Sequence, residues 1–461
     1  MFFIHRLRCN CQVIPTKRGD NSAMQRQIAT LGLLCSCFAG SVLAAEGTVP
    51  TGIPHLDHVV LIMMENHGFS QIIDNPSAPY INYLARTDNL ATNYFAIAHP
   101  SLNNYLELVG GSNFGIQSDN TPDWHNNYCD SNIVAGTVNT DNPPSPSVCP
   151  ISGVGKDAAV PAIDMTNEAT GAPGTVNIDG SKSYTATTGI VGKSIADQLA
   201  EAGLTWKSYQ ESIPLGDVDL INYSDGFFTD GTDFSSITPA LTPPLASSGI
   251  VQLYAVKHNP FAYFQSVQEG FNPNSSLSNS VDFSGSNGLY ADLASGQVPS
   301  FLFIVPNQCN DQHGRGNADQ GCAFDPDDNG TQAGLNPALT VRADTTVRQL
   351  VTSIKASPAW GVGNNAIVVV WDENDYSLAP YPNAVVLIVD TSYAPTGNVS
   401  STFYTHYALL KTLEAGFGLP CLNHACDGDQ KVMTDLFNGS ASGTSFSNVS
   451  PITTRRITEI K

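Results

Sequence analysis

The sequence predicts an α/β fold: a mostly parallel central sheet flanked by helices on both faces. Two observations carry this. Unbroken apolar runs occur at His58–Met64, Phe301–Val305, Ile367–Trp371 and Ala384–Val389, without the alternation of a strand that has one wet face. Between them lie stretches whose apolar residues recur at helical spacing, and strands separated by helices imply parallel neighbours.

Each element has its own signal. His58–Met64 ends abruptly at Glu65-Asn66-His67, as a buried strand does where it leaves the sheet. Pro100 and Ser101 open a helix that runs to Val109 and stops at Gly110-Gly111. Lys193–Ala202 carries Ile195, Leu199 and Ala202 on one face and ends before Gly203; Val347, Leu350, Val351 and Ile354 form a second stripe, and His406–Phe417 a third. Residues 112–190 are rich in Asn, Thr, Gly and Pro and read as a long insertion; 212–250 and 271–290 read similarly. The expected organisation is a single domain over 46–445, followed by a loosely ordered tail at 446–461.

Before that domain lies an expected leader, residues 1–45. Met24 and Arg26 precede an apolar run, Ile28 to Ala44, that ends in small residues, as a secretory signal cleaved near Ala44 or Ala45 does. The run is short for a membrane anchor and no charged stop follows. Export makes the protein secreted or periplasmic.

Losing residues 1–45 removes five bases (Arg6, Arg8, Lys17, Arg18, Arg26) and one acid (Asp20), leaving 15 basic and 40 acidic residues. Such a surface repels nucleic acid and anionic membranes. A phosphate ligand would then be held by metal, amides and histidines. Six cysteines remain, and an even count in an exported chain favours disulfides. Neighbour pairing (Cys129–Cys149, Cys309–Cys322, Cys421–Cys426) is the simplest connectivity.

Four strand ends supply chemistry. Glu65 follows a buried strand, where a carboxylate is costly unless paired or metal-bound. Ser101 at a helix start is ordinarily an N-cap. The same position suits a nucleophile, because a helix N-terminus favours an anion, and Asn104 one turn on projects to the same side. Asp311-x-His313 puts an oxygen and an imidazole on one side of a loop, a set suited to zinc or a similar ion. Asp372-Glu373 places adjacent carboxylates at a strand end, which repel unless a cation intervenes. His406 opens the last helix. Asp325-x-Asp327-x-Asn329-Gly330 resembles the start of a calcium loop, with Asn336 where the loop needs Glu.

At these residues the chain resembles a known group. ENHGF (65–69), HPSLNNY (99–105), PNQCNDQH (306–313), WDEND (371–375) and THYALLKTLE (405–414) are similar to the bacterial and fungal acid phosphatases of the phosphoesterase family. That family also holds phospholipases C and lies in the alkaline phosphatase superfamily. SIADQLAEAGLTWKSY (194–209) and KHNPFAYF (257–264) fit the acid phosphatase branch, and the likeness covers roughly residues 55–420. It implies an alkaline-phosphatase-like fold and a small phosphate-ester substrate. It also implies one metal site of Glu65, Ser101, Asp372 and Glu373, with Asn66 beside it as ligand or phosphate donor. Asp311, His313 and His406 would form a second site.

The Ser101–Asn104 segment with Leu108–Gly111 is also similar to the nucleophile segment of nucleotide pyrophosphatases, which implies phosphoryl binding by Asn104. Many superfamily members have Asp-x-x-x-His where this chain has Asp311-x-His313, so the metal count stays open at one or two divalent ions (Zn, Mn, Ca or similar). If no second ion binds, His313 and His406 are expected to act as cationic acids on the substrate. A Cys309–Cys322 bridge would stiffen the Asp311–His313 loop. Two other readings stand: a phospholipase C acting on lipid headgroups, and a non-catalytic exported metal- or phosphate-binding protein.

Overall fold

The computed structural model describes residues 46–114, 190, 192–213, 221, 253–270, 272–315, 320–327, 330–374 and 383–438, with two short strands at 162–164 and 175–177. The expected leader, most of the expected insertion, the Cys129–Cys149 pair, Asp375 and the expected tail lie outside these residues.

The strands are β1 (His58–Met64), β2 (Asn89–Ala91), β3 (Tyr94–Phe95), β4 (Ala162–Asp164), β5 (Thr175–Asn177), β6 (Trp206–Gln210), β7 (Ser280–Val281), β8 (Phe301–Val305), β9 (Asn365–Trp371), β10 (Leu387–Thr391), β11 (Val399–Ser400) and β12 (Tyr404–Thr405). The α-helices are α1 (Phe69–Ile72), α2 (Pro79–Thr87), α3 (Ser101–Gly110), α4 (Ile195–Glu201), α5 (Gln265–Glu269), α6 (Leu289–Ser295), α7 (Pro337–Ala356), α8 (His406–Phe417) and α9 (Thr434–Phe437).

Eight strands form one sheet in the order β11-β2-β10-β9-β1-β8-β6-β7. Its middle is parallel: β1 lies between β8 and β9, and β6 pairs with β8, all in the same direction. Every residue of β8 and β9 is buried, which is why these strands read as unbroken apolar runs. β10 corrects one expectation. It was expected as another parallel strand, yet it runs antiparallel to both β9 and β2. A strand buried along its whole length has the same apolar pattern whichever way it runs, so pattern alone could not set its direction. Residues 271–290 likewise hold an edge strand, β7, rather than only insertion.

Helix ends follow local rules. Ser194 and Asp197 make a capping box on α4. Asn336 caps α7, its side chain accepting from the Ala338 amide ahead of Pro337. Asn336 is therefore a helix cap, and Asn329 of the expected calcium loop lies outside the described residues. Asp325 spends both carboxylate oxygens on His67 Nε2 and the Asn336 amide. Gly111 ends α3 at φ 69°, and a Cβ there would meet the Leu422 carbonyl oxygen, so only glycine fits. No helix among the described residues is long and apolar enough to cross a membrane. Two expected disulfides are present, Cys309–Cys322 and Cys421–Cys426.

Candidate active site

Register brings the acids together. Met64 of β1 pairs with Trp371 of β9, so Glu65 and Asp372 leave the sheet side by side. The Asp372 amide donates to the Met64 carbonyl at 3.0 Å, and the Glu65 amide to the Asp311 carbonyl at 2.9 Å. Three adjacent strand ends thus converge, where a parallel sheet places its chemistry. Glu65, Asp311, Asp372 and Glu373 are all 0% exposed.

Ser101 meets this cluster from α3. Pro100, not Ser101, holds the cap position. Instead Oγ lies 3.0 Å from Glu373 Oε1 and 3.4 Å from Glu65 Oε2. The N-cap explanation for Ser101 fails, and the hydroxyl faces two carboxylates.

Charge density this high drives Asp372 and Glu65 in opposite directions. Burial raises the pKa of Asp372 well above the usual carboxylate range, and Glu65 and Glu373 push it further the same way. Burial would also raise Glu65, but His258 chiefly, with Lys257 and His313, overcomes that and holds it well below the usual range. Asp372 Oδ1 accepts from the Asn66 amide at 3.0 Å, while Oδ2 is buried without a hydrogen-bond partner. Asn66 Oδ1 is likewise buried and unpartnered. Asn66 takes φ 64°, a left-handed conformation that asparagine tolerates better than most residues.

A divalent cation fits this donor set. The unpartnered Asp372 Oδ2 and Asn66 Oδ1, beside the Glu65 and Glu373 carboxylates and the Ser101 hydroxyl, make an oxygen-rich cradle. Glu65, His258 and His313 also offer ligand atoms within 4.8 Å of one another, a mixed set of the kind zinc takes. Glu65 is common to both positions.

Lys257 and His258 were given no role from sequence. They sit on a short turn, Val256–His258, too brief for any periodicity. Their signals were the KHNPFAYF motif and a pair of basic residues before Asn-Pro in a chain poor in bases. His258 Nε2 is 2.8 Å from Glu65 Oε1 and its Nδ1 3.4 Å from Asp311 Oδ2. Its ring stacks on Tyr105 of α3, centroids 5.3 Å apart. Burial opposes a charge on His258, but Glu65 and Asp311 win and raise its pKa to about 9. Lys257 Nζ stands 3.5 Å from Ser101 Oγ and 3.3 Å from His313 Nε2. His99, quoted only as part of a motif, has Nδ1 2.6 Å from Glu373 Oε2, with both side chains buried.

The expected second site is redrawn by these contacts. Asp311 Oδ1 accepts from the His313 amide at 2.7 Å, and burial raises its pKa to about 6 although His258 pulls it down. Between them Gln312 sits at φ 94°, a strained conformation held by the Trp371 indole donating to its Oε1 at 3.0 Å. Burial, with Lys257, lowers His313 to about 4, so it is neutral rather than cationic. His313 Nδ1 lies 2.9 Å from the Gly314 carbonyl, so the proton sits on Nδ1 and the Nε2 lone pair faces Lys257.

His406 does not join them. Its Nε2 is 2.6 Å from the Asp372 carbonyl and its Nδ1 2.7 Å from the Tyr94 hydroxyl, so both nitrogens are spent on protein groups. Burial lowers it to about 4. It is a brace for the Asp372 backbone, and its expected roles as ligand and acid have no nitrogen to serve them. Asn104 is also committed: its Oδ1 accepts from the Ile97 and Ala98 amides, and its Nδ2 donates to the Ala98 carbonyl and to Glu373 Oε2. It orients Glu373 instead of presenting a spare donor to a phosphoryl oxygen.

The model of the Phosphoesterase family matches residues 73–324, more than half of the chain. The chain belongs to the Phosphoesterase family. Among family relatives, it is 25% identical over 417 residues to a phosphatidylinositol-3-phosphatase of Mycobacterium tuberculosis, covering 89% of this chain and 94% of that protein. It is 25% identical over 370 residues to a phosphate-repressible acid phosphatase of Penicillium chrysogenum, covering 79% of this chain but only 60% of that one. Among solved structures, a Vibrio parahaemolyticus protein of the alkaline phosphatase superfamily aligns at 12% identity and TM-score 0.40, over 84% of this chain and 74% of that one.

Proposed function

We propose that the protein hydrolyses phosphate monoesters through Ser101 and a phosphoserine intermediate, assisted by a divalent cation. One observation carries this: a buried hydroxyl at a helix start, one residue past the cap, that lies 3.0 and 3.4 Å from two carboxylates. Glu65, Asp372, Glu373 and Asn66 would hold the cation next to Ser101. When bound there, it supplies Lewis-acid polarisation of the hydroxyl and neutralises phosphoryl charge.

The chain's own groups do the remainder. α3 fixes the position of Oγ, and its N-terminus favours the arriving anion. As the Oγ–P bond forms, the bond from phosphorus to the ester oxygen breaks, and the departing alcohol gains a proton. The serine proton has Glu373 Oε1 and Glu65 Oε2 within reach. Water then attacks phosphorus, the Oγ–P bond breaks, Ser101 regains its proton and inorganic phosphate leaves. His258 and Lys257 place positive charge around the phosphoryl group. His99 and Asn104 fix Glu373, and His67 ties the Glu65 carbonyl to Asp325 through contacts of 3.1 and 2.7 Å.

Both reported relatives carry the name phosphatase, which agrees with monoester chemistry. Export after removal of a leader is part of the same proposal, and the two disulfides support it. The surface charge argues against nucleic acid as a partner. The test compares p-nitrophenyl phosphate with p-nitrophenylphosphorylcholine on protein stripped of metal and reloaded, with elemental analysis of the purified chain. Metal-dependent turnover of the monoester, lost in Ser101→Ala, is expected. Preference for the phosphorylcholine ester would move the assignment to a phospholipase C, and metal binding without turnover to a binding protein.

A further inference from the structure

We propose that Lys257 is the residue that selects phosphate monoesters over diesters, by reading the second negative charge of the phosphoryl group. This rests on the phosphatase reading above. A monoester phosphoryl group carries up to two charges on three non-bridging oxygens. A diester carries one charge on two, with an ester group in the third place. Discrimination therefore needs a second positive centre at the nucleophile, apart from the cation held by the carboxylates.

Lys257 is placed for that. Its Nζ lies 3.5 Å from Ser101 Oγ, so the oxygens of a phosphoryl group arriving on Oγ come within its reach. His313 Nε2, 3.3 Å away, presents a lone pair to the ammonium and fixes its direction. The base of the side chain is anchored. The neighbouring His258 is gripped by Glu65 and Asp311 and stacked on Tyr105. Its carbonyl accepts from Gln210 Nε2 at 3.1 Å. Asn259 bonds Ser208, Ser280 and the Tyr254 hydroxyl. A lysine on so rigid a turn is pre-organised for an anion. The setting sharpens its value: the chain carries a net charge of −21, so the local cation must offset the repulsion that a dianion meets on approach. The third group that a diester brings finds an ammonium where it would need an apolar or neutral wall.

The experiment uses the metal-loaded full chain and its Lys257→Met and Lys257→Arg variants. It measures kcat/KM for p-nitrophenyl phosphate and bis-p-nitrophenyl phosphate, and calorimetric binding of inorganic phosphate. Removing one charge-assisted contact to a dianion should lower monoester kcat/KM and phosphate affinity by roughly 10- to 100-fold in Lys257→Met. Diester kcat/KM should change by less than about threefold, and Lys257→Arg should recover most of the selectivity. Equal losses on both esters, or unchanged phosphate affinity, overturn the assignment. A wild-type chain that turns over the monoester but keeps its ester ratio in Lys257→Met overturns this inference alone. A wild-type chain that turns over neither ester overturns the phosphatase reading and this inference with it.

Discussion

Replacing Asp372 by Asn alters one atom of a fully buried side chain and should stabilise the metal-free protein while disabling it. Oδ1 keeps its role as acceptor for the Asn66 amide, and the new Nδ2 takes the place of Oδ2, which has no hydrogen-bond partner. The magnitude follows from linkage. Burial, Glu65 and Glu373 raise the Asp372 pKa well above its ordinary 3.8, so the folded state binds a proton that the unfolded state has released. A raised pKa means stability is complete below 3.8 and lost as pH rises through the folded value. Each pH unit of that window costs about 1.4 kcal/mol. Unfolding the roughly 270 described residues carries about 0.6 kcal/mol/K of entropy, or about 2 °C for each pH unit of that window, so Asp372→Asn should melt higher than wild type at pH 6 and close to it at pH 4. Added zinc or manganese should raise the wild-type melting temperature and leave the variant almost unmoved. Differential scanning fluorimetry at both pH values, with and without metal, reads all of this. A variant that melts below wild type in chelator at pH 6, or that retains the full metal-induced rise, would refute the picture of a strained acid cluster awaiting a cation.

Three further outcomes follow from the same contacts. The Cys309→Ser/Cys322→Ser double variant releases a loop of sequence separation 13 that contains Asp311 and His313, worth about 3 kcal/mol by chain entropy. It should melt about 5 °C lower and bind metal more weakly, as equilibrium dialysis would show. Asp88, pushed up to about 6 by burial and then by Asp390 with Lys355 opposing, weakens the fold as pH rises from about 4 to 6. Asp88→Asn should therefore gain up to about 3 kcal/mol at pH 7 and nothing near pH 4, measurable by denaturant titration. His99→Ala removes the nitrogen 2.6 Å from Glu373 and should lower metal affinity or kcat by roughly 10- to 100-fold with little change in KM.

What could be read from sequence was what local pattern determines. The runs at 58–64, 301–305 and 367–371 are strands because an all-apolar segment has nowhere to go but the middle of a sheet. The acids that follow them are gathered because parallel strands end on the same edge. Helix α8 begins and ends where its pattern says, and Ser101 heads α3 as its Pro-Ser start implies. What could not be read was decided between distant elements. The direction of β10 depends on its neighbours and not on its composition. The nitrogens of His406 are consumed by Tyr94 and by the Asp372 carbonyl, contacts spanning 312 and 34 residues. Lys257 reaches Ser101 across 156 residues from a turn with no periodic signature. His258, not the His406 that the resemblance implied, has its ring at Glu65, carried there by a short turn locked by Asn259. In each case the missing information was a long-range contact that only the folded sheet creates.

The central claim concerns one bond, from Ser101 Oγ to phosphorus. Acid-quenching the metal-loaded enzyme during turnover of a monoester, digesting it and mapping phosphopeptides by mass spectrometry tests that bond directly. The account predicts phosphate on Ser101, none on any other residue, and none in Ser101→Ala. Sustained turnover by Ser101→Ala, or label on a histidine instead, would contradict it.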